Sequence, residues 1–299
     1  MLICQKAVSQ EKFLEEVARR KRHKQMPETA RTGEDLIDST SAPCLEPDFV
    51  VQSDPNLETQ GSEMRIKSGS YTRLTKFENC AYAAKLAYID KIPEPERPLP
   101  PGKTEHANDR GSRLHEAAEK FVKGGVELIP ELAKFKAEFF KARSLFAEDK
   151  ASTEGDWAFT KDWESVAWMS SDVYIRIKCD LVVHKNTQDL VVVDYKSGKR
   201  FGNEIKHGEQ MQLYVIGSLF RYPKTKTVTS ELWYLDLDEL ISMTYTREQG
   251  LRFLNNFERR LGLMTNAEEF PPNPNVFSCK WCPYKSKEKG GTGHCLVGV

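Results

Sequence analysis

Asp180, Asp194 and Lys196 lie in one stretch of the sequence, CDLVVHKNTQDLVVVDYKSGK, whose apolar runs are typical of β-strands. If two strands meet through a loop centred on Thr187, Asp180 lies directly opposite Asp194. Cross-strand partners share a face of the sheet, with Cβ atoms roughly 4.5–5.5 Å apart. The two carboxylates would therefore repel each other, and either a cation between them or a raised pKa must relieve the repulsion.

The lysine of this stretch, Lys196, follows Asp194 by two residues, so strand alternation places both side chains on one face. Hard divalent ions such as Mg²⁺ take oxygen ligands. The alternative is a salt-bridged strand end in which Lys196 only neutralises Asp194. We favour a metal site, because Asp180 is in register with Asp194 and the flanking residues are apolar.

Three further polar residues stand on predicted helices. His115 ends the segment Gly111-Ser-Arg-Leu-His115 in the first turns of a helix, from which an imidazole could reach a metal. Gln210 and Tyr214 are one turn apart on a later helix and therefore share a face. Taken singly, a packed histidine and a half-buried helix flank are the more ordinary interpretations.

The cysteines form a second group that could bind a metal. Cys279 and Cys282 make a C-x2-C pair, Cys295 follows after twelve residues, and Cys80 lies far upstream. A C-x2-C pair is the usual half of a thiolate site, and four thiolates suit either zinc or an iron–sulfur cluster. Ordinary free thiols are the third interpretation. The other three cysteines have no partner by spacing: Cys4, Cys44 and Cys179.

The composition limits the class of protein. The 299 residues include 44 basic and 44 acidic side chains, so any nucleic-acid binding requires a local basic surface. No apolar run approaches the roughly 18 residues of a transmembrane helix, and the N-terminus lacks the pattern of a secretory signal. We therefore expect no contact with a membrane and a cytoplasmic location.

The elements that must position these residues follow from periodicity. Residues 1–69 are predicted to form an N-terminal helix and a flexible linker, and residues 70–299 the folded domain. Within this domain the pattern predicts helices at 71–89, from about 109 and from 130 to about 146, strands at 173–177, 180–184 and 189–196, then a helix at 209–220, a strand at 230–237 and a helix from 246. This order predicts a central mixed β-sheet flanked by helices, of the α/β or α+β class.

Taken together and in order, the polar residues resemble the RecB-type branch of the PD-(D/E)XK nucleases. The motif consists of Gly111-x3-His115, Asp180, Asp194-Tyr195-Lys196 and His207-x2-Gln210-x3-Tyr214. The match extends from about Ser70 to Cys295. It is similar to CRISPR-associated RecB-like nucleases and to phage or bacterial recombination exonucleases, and it implies a restriction-endonuclease-like core.

The resemblance also implies roles for individual residues. Mg²⁺ or Mn²⁺ would be bound by His115, Asp180, Asp194 and the backbone carbonyl of Tyr195. Lys196 would orient and activate the attacking water. Gln210 and Tyr214 would position the phosphate or the lysine.

The resemblance further favours a 4Fe-4S cluster over zinc at the cysteines. In related nucleases one cysteine before the core and three after it hold the cluster, as Cys80, Cys279, Cys282 and Cys295 would here. The spacing from Cys282 to Cys295 is longer than the family's usual spacing.

We therefore expect a divalent-metal-dependent DNA exonuclease of recombination, repair or DNA end processing, in a bacterial or phage-infected cell. Its partners would be DNA and a helicase, an annealing protein or another recombination protein. The alternative is a non-catalytic DNA-binding or complex-assembly protein that retains the nuclease fold. Intact Asp180, Asp194 and Lys196 argue against that alternative, and an unrelated zinc module would not explain the hairpin.

Overall fold

The computed structural model describes residues 64–299. The predicted N-terminal helix and most of the predicted linker lie outside these residues, so the proposed boundary near residue 70 stays a prediction. None of the helices in the described range has the length and apolarity that crossing a bilayer requires.

The helices of the described range surround one sheet. They are α1 (Tyr71–Asn79), α2 (Ala81–Tyr88), α3 (Ala107–Val122), α4 (Lys136–Ala147), α5 (Glu204–Arg221), α6 (Arg247–Leu251), α7 (Leu254–Thr265) and α8 (Val276–Lys280), with 3-10 turns at Pro130–Phe135 and Lys287–Lys289. The strands are β1 (Ala151–Phe159), β2 (Ser165–Val166), β3 (Ile175–His184), β4 (Asp189–Lys196), β5 (Thr227–Tyr234) and β6 (Glu239–Thr246).

The six strands form one mixed sheet in the order β2-β1-β3-β4-β5-β6. β4 and β5 are parallel and all other neighbours are antiparallel. Parallel neighbours need a crossover connection, and α5 supplies it between β4 and β5. The predicted fold class, a mixed sheet flanked by helices in a restriction-endonuclease-like core, is confirmed.

The hairpin register was predicted correctly. Val182 pairs with Val192 and His184 with Leu190, as a loop centred on Thr187 requires. The turn is held by the Asn186 side chain, whose Oδ1 accepts hydrogen bonds from the backbone N–H groups two and three residues further on. The helix predicted from residue 246 begins as α6 with a capping box between Thr246 and Gln249.

Several element boundaries were predicted wrongly. The two strands predicted at 173–177 and 180–184 are one strand, β3, and the helix predicted at 71–89 is broken at Cys80, whose backbone is extended. The 3-10 turn at Pro130–Phe135 precedes α4 where a single helix was expected. β1 and β6 were missed; β1 contains Gly155 and charged residues, which weaken the β-strand pattern.

The sheet is buried on both faces. Alternate residues of β4 face opposite cores: Val192 belongs to the core that contains Ile216 of α5 and Phe257 of α7, whereas Val193 belongs to the core that contains Phe121 of α3. The second core is rich in aromatic contacts, including a stacked pair whose ring centroids are 5.4 Å apart, between Phe135 and Trp233. A strand buried on both faces is thereby held rigidly, which suits the polar residues at its end.

Two helical glycines test this packing. A Cβ at Gly217 of α5 would lie 2.6 Å from Ile177 Cδ1 and 3.2 Å from Trp157 Cε3, whereas at Gly262 of α7 the nearest neighbouring atom, of Asn266, would be 3.9 Å away. Gly217→Ala should therefore destabilise the protein by roughly 1–3 kcal/mol through overpacking. Gly262→Ala should stabilise it by roughly 0.5–1 kcal/mol through helix propensity. Urea unfolding measures both, and a Gly217→Ala variant as stable as Gly262→Ala would contradict the packing.

Candidate active site

The site lies where β3 and β4 separate. Their ladder ends at the pair Leu181↔Val193. One residue further along, the Asp180 carboxylate accepts a hydrogen bond of 2.6 Å from the backbone N–H of Tyr195. A side chain thus replaces the missing strand partner and holds Asp180 in the gap between the two separating strands, which we call the fork.

The alternation of β3 breaks at the same position. Cys179 and Val182 both face the core beneath α5, although they are three positions apart and regular alternation would place them on opposite faces. Leu181 faces the other core. In the neighbouring strand Glu154 has a left-handed φ of 48° between the pairs that flank Asp180. The expectation that Asp180 simply shares a face with Asp194 therefore needs correction: a local strand distortion turns Asp180 into the fork.

The two carboxylates are contacted from opposite helical layers. Asp180 Oδ1 lies 2.8 Å from His115 Nδ1 of α3. Asp194 Oδ1 accepts hydrogen bonds of 3.2 Å from Tyr214 Oη and 3.3 Å from Gln210 Nε2, both on α5. All of these residues were candidates from sequence, and the fold brings them to one place.

Lys196 is positioned by Asp194 and Gln210 together. Its Nζ lies 2.6 Å from Asp194 Oδ2 and donates a hydrogen bond of 2.9 Å to Gln210 Oε1. The amide nitrogen of Gln210 donates to Tyr214 Oη at 2.7 Å. Each end of this amide has its own partner, so one glutamine orients both the lysine and the acid.

Burial and charge shift the pKa values of the fork residues. Burial raises the pKa of Asp180, the charge of Asp194 raises it further, and the hydrogen bond from His115 opposes both. Burial disfavours the charged form of His115, but its hydrogen bond to Asp180 and the two carboxylates outweigh burial and raise its pKa. The predicted repulsion is thus relieved in part by the His115–Asp180 contact.

The histidine of the α5 motif is held neutral. Burial, followed by the nearby positive charge of Lys196, lowers the pKa of His207 to about 4. Its Nδ1 lies 2.9 Å from Tyr234 Oη. At neutral pH His207 therefore adds no positive charge that would compete with Lys196.

The side chain of Tyr195 points away from the fork. It is packed in the core beneath α3 and α4, with its ring edge-on to His115 at a centroid distance of 5.7 Å. The group of Tyr195 that contacts Asp180 is therefore its backbone N–H, which donates a hydrogen bond to the carboxylate. Its carbonyl stays a predicted ligand.

Two residues that sequence analysis missed tie the fork together. Asp236, in the turn after β5, accepts two hydrogen bonds from the Arg110 guanidinium, at 2.7 and 2.9 Å, and one of 2.7 Å from the backbone N–H of Gly198. The backbone N–H of Leu235, the residue before Asp236, donates a hydrogen bond of 2.9 Å to the Lys196 carbonyl. Asp236 thereby joins α3 to the segment that carries Lys196.

The glycine of the α3 motif has a matching steric role. A Cβ at Gly111 would lie 3.4 Å from Ser197 Oγ, so α3 approaches the segment after β4 closely at this point. Arg110 precedes this glycine, which is the one hint in the sequence to its position. Asp236 is 126 residues away from Arg110 and carries no local signal.

The donors of the fork suit a divalent ion. Carboxylate oxygens and imidazole nitrogen are ligands that Mg²⁺ and Mn²⁺ accept. Asp194 Oδ2 is buried and, within residues 64–299, has only the Lys196 ammonium nearby and no well-directed hydrogen bond. No three His, Cys, Asp or Glu side chains of these residues already form a metal-binding group. The residue types therefore fit, while His115 and Asp180 bind each other in this state.

The four candidate cysteines line one cavity of about 520 Å³ between α1, α2, α8 and the C-terminal segment. Burial raises the pKa of Cys282, and the neighbouring thiols of Cys295, Cys80 and Cys279 raise it further. The four thiols share this cavity, but within residues 64–299 they are not arranged as a group that could hold a metal ion. Cys179 instead lies in the main core, as expected for a cysteine without partners.

A family model described as the PD-(D/E)XK nuclease superfamily matches residues 68–287. A solved structure named SSO0001 covers 82% of this chain and 96% of its own, at 14% identity and a TM-score of 0.39. A protein from Eubacterium rectale, provisionally assigned as an exonuclease, covers 80% of this chain and 94% of its own, at 12% identity and a TM-score of 0.41. No curated protein matches the chain.

Asp236 tests the construction of the fork. Asp236→Asn removes the charge that holds Arg110, so α3 and the Lys196 segment should lose their fixed spacing. We expect the turnover number for nuclease activity to fall roughly tenfold, equivalent to about 1.4 kcal/mol, with little change in KM.

The matched control is Asp238→Asn in the same turn, since its left-handed φ of 56° suits asparagine. A lower melting temperature with unchanged turnover in Asp236→Asn would show that Asp236 serves stability alone.

Proposed function

The chain belongs to the PD-(D/E)XK nuclease superfamily, and on that premise we propose that it is a divalent-metal-dependent DNA exonuclease. It would hydrolyse phosphodiester bonds in recombination, repair or DNA end processing, together with a helicase, an annealing protein or another recombination protein. The observation that carries the proposal is that Lys196 is held by two partners, through an ion pair with Asp194 and a hydrogen bond to Gln210. An exposed structural ion pair would not need a buried acid and a dedicated amide.

His115, Asp180, Asp194 and the Tyr195 carbonyl would hold Mg²⁺ or Mn²⁺. When bound, the ion supplies Lewis-acid stabilisation of the phosphate and a more acidic water. Tyr214 and Gln210 hold the Asp194 carboxylate through hydrogen bonds to Oδ1. Oδ2 faces the Lys196 ammonium without a well-directed hydrogen bond.

Lys196 would act on the reacting atoms themselves. Its side chain retains about 19% of its exposure, whereas that of Asp194 retains 3%. The ammonium can therefore donate a hydrogen bond to the attacking water or to a phosphate oxygen while Gln210 Oε1 keeps it oriented. A fixed positive charge of this kind stabilises the negative charge that develops in the transition state.

The proposal is tested with end-labelled single-stranded and double-stranded DNA in Mg²⁺ or Mn²⁺. Asp194→Asn keeps the size of the side chain and removes one charge from a repelling pair, so the fold should persist. Lys196→Ala should bind DNA normally. Both variants should lower the turnover number by more than roughly a hundredfold, the scale of one lost electrostatic contact.

The matched control is Lys178→Ala, a more exposed lysine of the adjacent β3 strand that pairs with Glu154. It should cleave at the wild-type rate. Wild-type cleavage by Asp194→Asn would show that the site is misplaced. A Lys196→Ala variant that melts earlier but turns over normally would make the lysine a structural ion pair.

At the cysteine cavity we propose a 4Fe-4S cluster, with zinc as the alternative. Its role would be structural, because a centre shared by Cys80 and Cys279 closes a loop of about 200 residues and so restricts the unfolded chain. Four thiols around one cavity are the observation that supports it.

Protein purified anaerobically should be brown and contain iron and sulfide in near-equal amounts. Cys279→Ser should lose the colour and lower the melting temperature, whereas Cys179→Ala, in the core, should keep the iron. Colourless protein with one equivalent of zinc would replace the cluster by zinc, and metal-free protein of full stability would remove the metal centre altogether.

A further inference from the structure

Two aromatic side chains stand out from the surface beside the cysteine cavity. Phe277 of α8 is 88% exposed and Trp281, which follows α8, is 70% exposed. Both line the cavity, whose cysteines lie deeper: Cys279 is 8% exposed. The aromatic side chains therefore form a rim that stays accessible whatever the cysteines bind.

The charge around this rim is mainly positive. Lys76, Lys206 and Lys285 line the cavity, and none of its described lining residues is Asp or Glu. Lys280 adds a fourth ammonium 5.2 Å from the centre of the Trp281 ring. Glu94 offsets only Lys76, at 3.2 Å. In a chain with equal numbers of acids and bases, this is a local concentration of positive charge.

The rim and the fork meet on one helix. Lys206 and Gln210 are four residues apart in α5 and therefore share a face. Gln210 contacts both Asp194 and Lys196. A strand whose phosphate lies at Lys196 would therefore pass Lys206 as it reaches the aromatic rim.

We propose that Phe277, Trp281, Lys206 and Lys285 form a binding surface for single-stranded DNA, which holds the substrate strand outside the fork. The inference rests on the proposed nuclease function. Exposed aromatic rings offer stacking platforms for unpaired bases, and lysines contact the phosphates between them.

Charge decides in favour of this occupant. A protein partner that covers an apolar patch gains little from several ammonium groups that have no carboxylate partner within residues 64–299, whereas a polyanion requires them. Bases in a duplex are already stacked on one another, so their faces are unavailable to Phe277 and Trp281. The surface therefore selects for a single strand and tolerates any sequence.

The experiment uses fluorescence anisotropy to measure how tightly the full chain binds labelled oligo(dT). The protein keeps all its cysteines and whatever metal they bind, and it carries Asp194→Asn to stop cleavage. Phe277→Ala and Trp281→Ala should each weaken binding roughly five- to 150-fold. Lys206→Gln should lower the slope of log affinity against log salt by about 0.7. A hairpin duplex should bind more weakly and be indifferent to both aromatic changes.

Two control variants match these changes elsewhere: Met169→Ala, which is 83% exposed, and Lys161→Gln in the turn after β1. Both should bind oligo(dT) as the parent does. Trp281 lies between two cysteines, so its replacement could disturb a metal centre. The metal content of the Trp281→Ala variant is therefore compared with that of the Phe277→Ala variant, which leaves the C-x2-C segment intact. Unchanged oligo(dT) affinity in Phe277→Ala and Lys206→Gln would overturn the surface.

The outcomes separate the two proposals. Loss of oligo(dT) affinity at the rim, together with full cleavage by Asp194→Asn, would leave the surface standing and refute the proposed catalytic site. Normal dependence of cleavage on Asp194, with rim variants that bind oligo(dT) and a duplex alike, would refute the surface alone.

Discussion

The proximity of two buried carboxylates at the end of a hairpin constrains the whole site. Burial and the nearby charge of Asp194 raise the pKa of Asp180, and the structure gives each acid its own partner. His115 is hydrogen-bonded to Asp180, whereas Lys196, with its α5 partners, forms an ion pair with Asp194. Because these partners come from opposite faces of the sheet, both helical layers must be in place before the fork is complete.

The remaining architecture serves to keep those two layers in register. The parallel pair β4 and β5 requires the α5 crossover, which carries Gln210 and Tyr214 to the buried face of Asp194. On the other face, Asp236 joins Arg110 of α3 to the residues after Lys196. A rigid scaffold with two such ties holds catalytic groups more closely than loops alone would.

The cysteine cavity and the fork share α5 without sharing chemistry. Lys206 borders the cavity, and one turn later Gln210 contacts the acid and the lysine. A metal centre that fixes the C-terminal segment would also fix the position of the aromatic rim. On these proposals, the stability of this segment and the binding of a DNA strand would be coupled through geometry.

The sequence by itself determined the hairpin register and the mixed sheet flanked by helices, because strand and helix periodicities are local. The resemblance to a nuclease family, and no periodicity, singled out His115, Gln210 and Tyr214. The sequence misjudged the boundaries of β3 and α1 and missed β1, where packing overrides weak propensity. Only the tertiary structure decided that Asp180 turns into the fork and that Asp236 clamps Arg110. The His115–Asp180 contact joins residues 65 positions apart, and the Arg110–Asp236 contact joins residues 126 positions apart. No local sequence pattern encodes such pairings.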